Sequence, residues 1–150
     1  MTLRIPPILQ VLLCGAFGWG LSWLAPVLAF DGLWRNAAAL LFLSTGAFIL
    51  VLALRAFIRA RTTVNPLAPE DAETLVTSGL YRISRNPMYL AMVLVLIGSA
   101  FLLGNLAAFA GPLLFVWVMT LFQIRPEERA LQAKFGEAFT AYRQRTRRWV

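Results

Sequence analysis

The sequence predicts an all-α integral membrane protein with four transmembrane helices and a C-terminal amphipathic helix. Hydrophobic residues make up 59% of its 150 residues, and charged residues make up only 14%. Soluble domains carry about 25% charged residues, so this composition is typical of a membrane protein. Each span needs roughly 20 apolar residues, and four of them account for most of a single domain covering residues 1–150.

The positive charges follow the predicted membrane boundaries. Of the 14 Lys and Arg residues, 12 lie in two segments that flank apolar runs, Arg55–Arg85 and Arg125–Arg148. Cytoplasmic loops of membrane proteins carry such an excess, and membrane lipids with anionic headgroups are its natural partner. The net charge of +7 is therefore accounted for, and we expect no nucleic-acid partner.

Cysteine and histidine are nearly absent from the chain. Cys14 is the single cysteine and lies in an apolar run, where we expect it to act as a small packing residue. There is no histidine, which is the commonest general base and metal ligand. We therefore expect no metal site.

The first two spans are predicted at residues 6–30 and 37–58. The first apolar stretch is longer than the apolar core of a signal peptide, so we interpret it as a retained span. Gly15, Gly18 and Gly20 within it are small residues that favour close helix packing.

A polar loop at residues 62–86 precedes the third span, which is predicted at residues 88–103. Pro87 can begin this helix because its missing N–H costs nothing at the first helical position. A tight uncharged turn then leads to the fourth span, predicted at residues 106–124. The third and fourth spans therefore form an antiparallel hairpin.

An amphipathic helix is predicted at residues 126–144. Leu131, Phe135, Phe139 and Tyr142 recur every three or four residues and form an apolar stripe beside basic residues. Such a helix lies on the membrane surface. Because both basic segments must face the same side, we expect both termini on the cytoplasmic side of the inner membrane.

Two polar clusters, residues 75–89 and 123–128, meet at the cytoplasmic ends of the third and fourth spans. Polar groups at this depth are costly unless they bind one another or a ligand. One interpretation is a structural salt-bridge network that joins the two helices. The other is a ligand site in which Tyr81, Arg85 and their neighbours face Glu127 and the residue after it.

Two ordered motifs run through these clusters. The first is Leu75-Val-Thr-Ser-Gly-Leu-Tyr81, followed by Arg85-Asn-Pro-Met-Tyr89. The second is Glu127-Glu128, followed by Leu131, Phe135-Gly-Glu137 and Tyr142. In this order they resemble the isoprenylcysteine carboxyl methyltransferase family, and the related phospholipid methyltransferases share the general pattern. The resemblance covers residues 62–149.

The resemblance implies a membrane methyltransferase that uses S-adenosylmethionine. Its acceptor would be lipophilic: an isoprenylcysteine carboxylate, a phospholipid amine or another small apolar molecule. A cofactor region at residues 62–91 and 123–149 is implied by position. The implied cofactor-binding residues are Thr74, Leu75, Val76, Tyr81, Asn86, Pro87, Met88, Tyr89 and Glu127. The implied catalytic residues are Arg85, Asn86 and Tyr89.

The residue types suit this implied cofactor. The rings of Tyr81 and Tyr89 can attract a sulfonium cation. A helix that begins at Asn86-Pro87 presents free N–H groups to a carboxylate, and Arg82 or Arg85 can add a charged hydrogen bond.

The sequence departs from the eukaryotic pattern at three positions. Asn86 replaces a histidine, Ala91 replaces a glycine, and Gln123 replaces an arginine that contacts the substrate. Arg125 lies two positions further, about 200° around a helix. Gln123 and Arg125 are thus weak candidates for substrate contact, and the acceptor remains open. Two alternatives are a non-enzymatic membrane scaffold and a nicotinamide-dependent membrane reductase, which would need more spans.

Overall fold

The computed structural model describes residues 5–60 and 74–150, and within these ranges the fold is built from helices joined by short turns. The helices are α1 (Pro7–Leu24), α2 (Leu33–Ala60), α3 (Pro87–Leu103), α4 (Ala110–Val118) and α5 (Arg125–Arg145). A 3₁₀ turn, Leu106–Phe109, precedes α4, and a π-helical turn, Met119–Ile124, joins α4 to α5 without a break. The predicted all-α class is confirmed.

Three segments of the described chain are long and apolar enough to cross a membrane: α1, α2 and the continuous helical stretch Leu106–Arg145. The helix α3 is also apolar, but it has only 17 residues. That length is at the lower end of the range of about 17–25 residues for a span. The total of four spans therefore stays a prediction.

The boundaries of the first two helices differ from those predicted. The first helix ends at Leu24 rather than at residue 30, and Pro26 opens a separate 3₁₀ turn, Pro26–Leu28. Proline removes a backbone donor and restricts the residue before it, which ends the helix. The second helix extends beyond the predicted span at both ends, from Leu33 to Ala60.

The helix α3 packs along α2, whereas α1 packs mainly against α4. A Cβ atom at Gly18 would lie 2.5 Å from the carbonyl oxygen of Ala108, and one at Gly111 would lie 2.7 Å from that of Cys14. Glycine is therefore required where α1 and α4 meet. Close helix packing was predicted for the glycines of α1. Gly18 lies at such a close contact, whereas a Cβ at Gly20 would have no atom within 4 Å.

The turn between α3 and α4 also holds the end of α1. Gly104 ends α3 in the left-handed conformation, with φ of 62°. The Asn105 side chain accepts a hydrogen bond from the backbone N–H of Ala107 at 2.8 Å. Its amide donates to the carbonyl groups of Ser22 and Ala25, at 3.2 and 2.9 Å. The predicted hairpin turn is thus fixed to the neighbouring helix.

The helix α5 is sharply bent, unlike the single helix predicted at residues 126–144. Gly136 has φ of 51° and ψ of −121°, which is not a helical conformation. The Gln132 amide nitrogen lies 3.0 Å from Thr140 Oγ1, whereas eight residues of straight helix rise about 12 Å. The two limbs of α5 therefore double back on each other. This bend turns Phe139 and Tyr142 inward, where they are buried.

We expect Gly136→Ala to destabilise the protein by about 1–3 kcal/mol, since a side chain at this φ and ψ is strained. Gly20→Ala is the matched control, because Gly20 lies in a regular helix with open space around it. Thermal unfolding in detergent micelles measures both. An unchanged melting temperature for Gly136→Ala would show that the bend does not need glycine.

Candidate functional site

A cavity of about 400 Å³ lies among the first residues of α3, both limbs of α5 and the later turns of α2. One end of it is polar and carries ionisable groups from α3, from α5 and from the loop before α3, including three buried tyrosines. The other end is apolar and faces α1 and α2. The polar end is lined by Thr74, Tyr81, Arg85, Asn86, Tyr89, Glu127, Glu128 and Tyr142. The remaining lining residues are Pro7, Ile8, Leu50, Leu54, Phe57, Leu75, Val76, Met88, Met92, Leu131 and Phe139.

The Glu127 carboxylate receives hydrogen bonds from two different segments. The Tyr89 hydroxyl in α3 donates to Glu127 Oε1 at 2.6 Å. The Gln123 amide, in the π-helical turn, donates to the same oxygen at 2.6 Å. Gln123 is only 2% exposed, so this donor is held behind the cavity wall. Together the two donors fix the orientation of a carboxylate that faces the cavity.

The neighbouring carboxylate, Glu128, forms an ion-pair clamp with Arg85 and Arg148. Arg85 Nη2 lies 2.7 Å from Glu128 Oε1, and Arg148 Nη2 lies 2.6 Å from Glu128 Oε2. The Arg85 guanidinium also donates to the carbonyl oxygen of Thr146. The backbone N–H of Arg85 donates to the carbonyl oxygen of Arg147 at 2.9 Å. The clamp thus joins the start of α3 to α5 and to the segment that follows it.

Burial and charge act in opposite directions on Glu128. Its burial works to raise the pKa of the carboxyl, but the hydrogen bonds and charges of Arg148 and Arg85 lower that pKa below its ordinary value. The hydrogen bond to Glu128 in turn raises the pKa of the Arg148 guanidinium. Glu128 and Arg148 are therefore ionised together at neutral pH.

Two tyrosines connect the loop before α3 to the rest of the cavity wall. The Tyr142 hydroxyl donates to the carbonyl oxygen of Tyr81 at 2.7 Å. The Tyr81 ring packs edge-on against Phe57 of α2, with the ring centroids 5.4 Å apart. Burial raises the pKa of both tyrosines, so both hydroxyls stay protonated at neutral pH.

Eight of the nine predicted cofactor-binding residues line this cavity. The ninth, Pro87, is buried at the first position of α3. The predicted catalytic residues also line it, but two of them have partners elsewhere. Arg85 belongs to the clamp, and the Asn86 amide donates to the carbonyl oxygen of Arg148 at 2.9 Å. Of these three residues, Tyr89 is the one hydrogen-bonded to Glu127.

The two predicted substrate contacts lie outside the cavity lining. Gln123 is buried and binds Glu127, as described above. Arg125 is exposed and lines a different, polar pocket beside α5. Positions two apart on a helix point in nearly opposite directions, which explains why one is buried and the other is not. Substrate contact by either residue stays a prediction.

Several lining residues were not predicted, and half of them come from α2 and α1. Leu50, Leu54 and Phe57 lie on one face of α2. Their spacing of four and three residues places them on the same side of the helix. This spacing was the one sequence feature that could have identified them as lining residues. Pro7 and Ile8 of α1 carried no comparable signal, because an apolar residue in a membrane helix is the ordinary case.

Comparison with known proteins gives one family and several relatives. A family model described as phospholipid methyltransferase matches residues 34–138. Protein-S-isoprenylcysteine O-methyltransferase B of Arabidopsis thaliana is 27% identical over 129 residues, which cover 83% of this chain and 66% of that protein. Protein-S-isoprenylcysteine O-methyltransferase of Schizosaccharomyces pombe is 36% identical over 74 residues, covering 47% of this chain and 30% of that protein.

A third relative is shorter. An uncharacterized protein of Haemophilus influenzae is 41% identical over 63 residues, which cover 42% of this chain and 100% of that protein. No solved structure gives a significant match. The chain spans less than two thirds of the length of the two named methyltransferases.

We expect Glu128→Gln to destabilise the protein by on the order of 3 kcal/mol at neutral pH, because the charge of Arg85 would lose its buried partner. The folded-state pKa of Glu128 is lowered, so its stabilising contribution is complete above the ordinary value of 4.5. That contribution is lost as the pH falls through the lower, folded-state pKa.

Melting temperatures measured from neutral to acidic pH test this prediction. Wild type should lose stability on acidification more steeply than Glu128→Gln. Glu137→Gln is the control, since Glu137 is an exposed carboxylate of the same helix, and it should follow wild type. Equal acid sensitivity in Glu128→Gln and wild type would contradict the role of the clamp.

Proposed function

Because the chain belongs to the phospholipid methyltransferase family, we propose that it is a membrane methyltransferase that uses S-adenosylmethionine and a lipophilic acceptor. The observation that carries the proposal is a single cavity with a polar end and an apolar end. Its volume of about 400 Å³ lies within the range of roughly 300–1,000 Å³ for small-molecule sites.

The polar end of the cavity suits the groups of this cofactor. Glu127 supplies a negative charge and accepts hydrogen bonds, which fits the ammonium and hydroxyl groups of the cofactor. Tyr81 and Tyr89 offer ring faces for its sulfonium. Leu75 and Val76 give the adenine an apolar surface, and the start of α3 offers backbone N–H groups to a carboxylate. When bound, S-adenosylmethionine supplies an electrophilic methyl group.

The chain itself has to align the acceptor with that group and keep water out. In this proposal, Arg85 and Asn86 help to keep water out of the cavity. Both side chains hold the segment after α5 against the start of α3, at the polar end of the cavity. They act as positioning residues, while Tyr89 and Glu127 face the ligand. Histidine is not needed for this chemistry, since the sulfonium is already a strong electrophile.

The apolar end of the cavity supports a lipophilic acceptor. It is lined by Ile8 of α1 and by Leu50 and Leu54 of α2. These two helices pack mainly against other helices rather than against each other, and Ile8 is 66% exposed. An acceptor with an apolar tail can therefore enter from the bilayer, with its nucleophile at the polar end. A carboxylate and a phospholipid amine both fit this description, and we place the site on the cytoplasmic face.

We expect calorimetry in detergent to show S-adenosylmethionine binding to wild type and at least roughly tenfold weaker binding to Glu127→Gln, because a charge-assisted hydrogen bond is lost. Glu137→Gln removes an exposed carboxylate of the same helix, and should leave the affinity unchanged. Failure of wild type to bind the cofactor would contradict the proposal.

A pair of substitutions at Tyr89 separates the ring from the hydroxyl. Tyr89→Phe keeps the ring but removes the donor to Glu127, whereas Tyr89→Leu removes both. Since a cation over a ring gains about 0.5–2 kcal/mol, we expect Tyr89→Leu to bind the cofactor more weakly than Tyr89→Phe. Transfer of labelled methyl groups to extracted lipids should fall in the same order. Equal loss in both variants would assign the whole effect to the hydroxyl.

A further inference from the structure

A second concave site lies beside α5, separate from the cavity described above. It encloses about 490 Å³ and is lined by Arg125, Glu128, Arg129, Gln132, Arg143 and Arg148. We call this the arginine pocket. Four guanidinium groups surround one carboxylate there, so the pocket has a strong positive charge. Glu128 lines both this pocket and the cavity, and so forms part of the wall between them.

The charge of the arginine pocket is not balanced within the described part of the chain. Its one carboxylate, Glu128, is already paired with Arg85 and Arg148. In residues 5–60 and 74–150, no carboxylate forms an ion pair with Arg125, Arg129 or Arg143. Three guanidinium groups therefore face a concave surface with their charge available to an anion.

The bend of α5 creates this arrangement. In a straight helix, Arg129 and Arg143 would lie about 21 Å apart along the axis, but the turn at Gly136 brings them to one pocket. The Arg143 guanidinium lies over the Phe139 ring, 6.0 Å from its centroid. Phe139 is 1% exposed. Arg143 is thus supported by a fixed aromatic ring rather than extended freely into solvent.

We propose that the arginine pocket binds the phosphate group of an acidic phospholipid at the membrane surface. Guanidinium groups bind phosphate oxygens through paired, charge-assisted hydrogen bonds. Arg125 is the first charged residue after residues 87–124, which contain none, so the pocket begins where the apolar segment ends. This is the depth of the lipid headgroups, where basic pockets meet anionic lipid. The bound lipid anchors α5 at a pocket distinct from the cavity proposed for the methyl acceptor.

The test uses the full chain in detergent micelles doped with either phosphatidylglycerol or phosphatidylcholine. Both lipids carry a phosphate, but the choline group of phosphatidylcholine neutralises it. Only phosphatidylglycerol therefore has a net negative charge. The pocket variant is Arg125→Gln, Arg129→Gln and Arg143→Gln together, which leaves the clamp intact. The control variant is Arg55→Gln, Arg59→Gln and Arg145→Gln, three exposed arginines outside the pocket. Native mass spectrometry measures the ratio of the two lipids retained by each protein.

We expect wild type and the control variant to retain phosphatidylglycerol over phosphatidylcholine, and the pocket variant to lose that preference by at least roughly tenfold. An equal loss of this preference in the pocket variant and the control variant would overturn the proposal, because general surface charge would then explain the binding. No preference in wild type would also overturn it. In a separate arm, the melting temperature is measured with phosphatidylglycerol and with inorganic phosphate in place of lipid. An equal gain in melting temperature from the two would overturn the lipid assignment. Binding of S-adenosylmethionine is measured on the same samples. A failure of the proposed methyltransferase function can therefore be told apart from a failure of lipid binding.

Discussion

The Glu128 carboxylate holds together three parts of the chain that are far apart in sequence. Arg85 approaches it from the start of α3, and Arg148 approaches it from beyond the end of α5. Because the carboxylate is buried, its ionised form is favourable only while both guanidinium groups are in place. The contact between α3 and α5 and the position of the segment that follows α5 both depend on this one arrangement.

The two adjacent glutamates have different surroundings, although either could be described as the acidic residue of the site. Glu127 accepts hydrogen bonds from Tyr89 and Gln123 and faces the cavity. Glu128 is held by two arginines. Successive residues on a helix point about 100° apart, so one turn of α5 supplies both a ligand-facing carboxylate and a structural one. The structural network and the ligand site, which the sequence presents as competing interpretations, are therefore adjacent parts of one region.

The sequence predicts what depends on local pattern. Apolar runs located the helices, Pro87 located the start of α3, and the paired motifs located most of the polar end of the cavity. The bend of α5 was not predicted, because Gly136 in an amphipathic pattern carries no signal of its backbone angles. The apolar end was missed for a different reason: it depends on which helices pack together, and the residues involved are ordinary for a membrane helix.

The π-helical turn Met119–Ile124 makes this arrangement sensitive to chain length at one place. A π-helical turn holds more residues than the α-helical turn it replaces, so its length sets the rotation of everything that follows. Removing a single residue there would rotate α5 by about 100°. The cavity would then face a different side of α5, and Arg85 would face a different residue. Insertions and deletions, rather than substitutions, are thus the changes that this segment tolerates least.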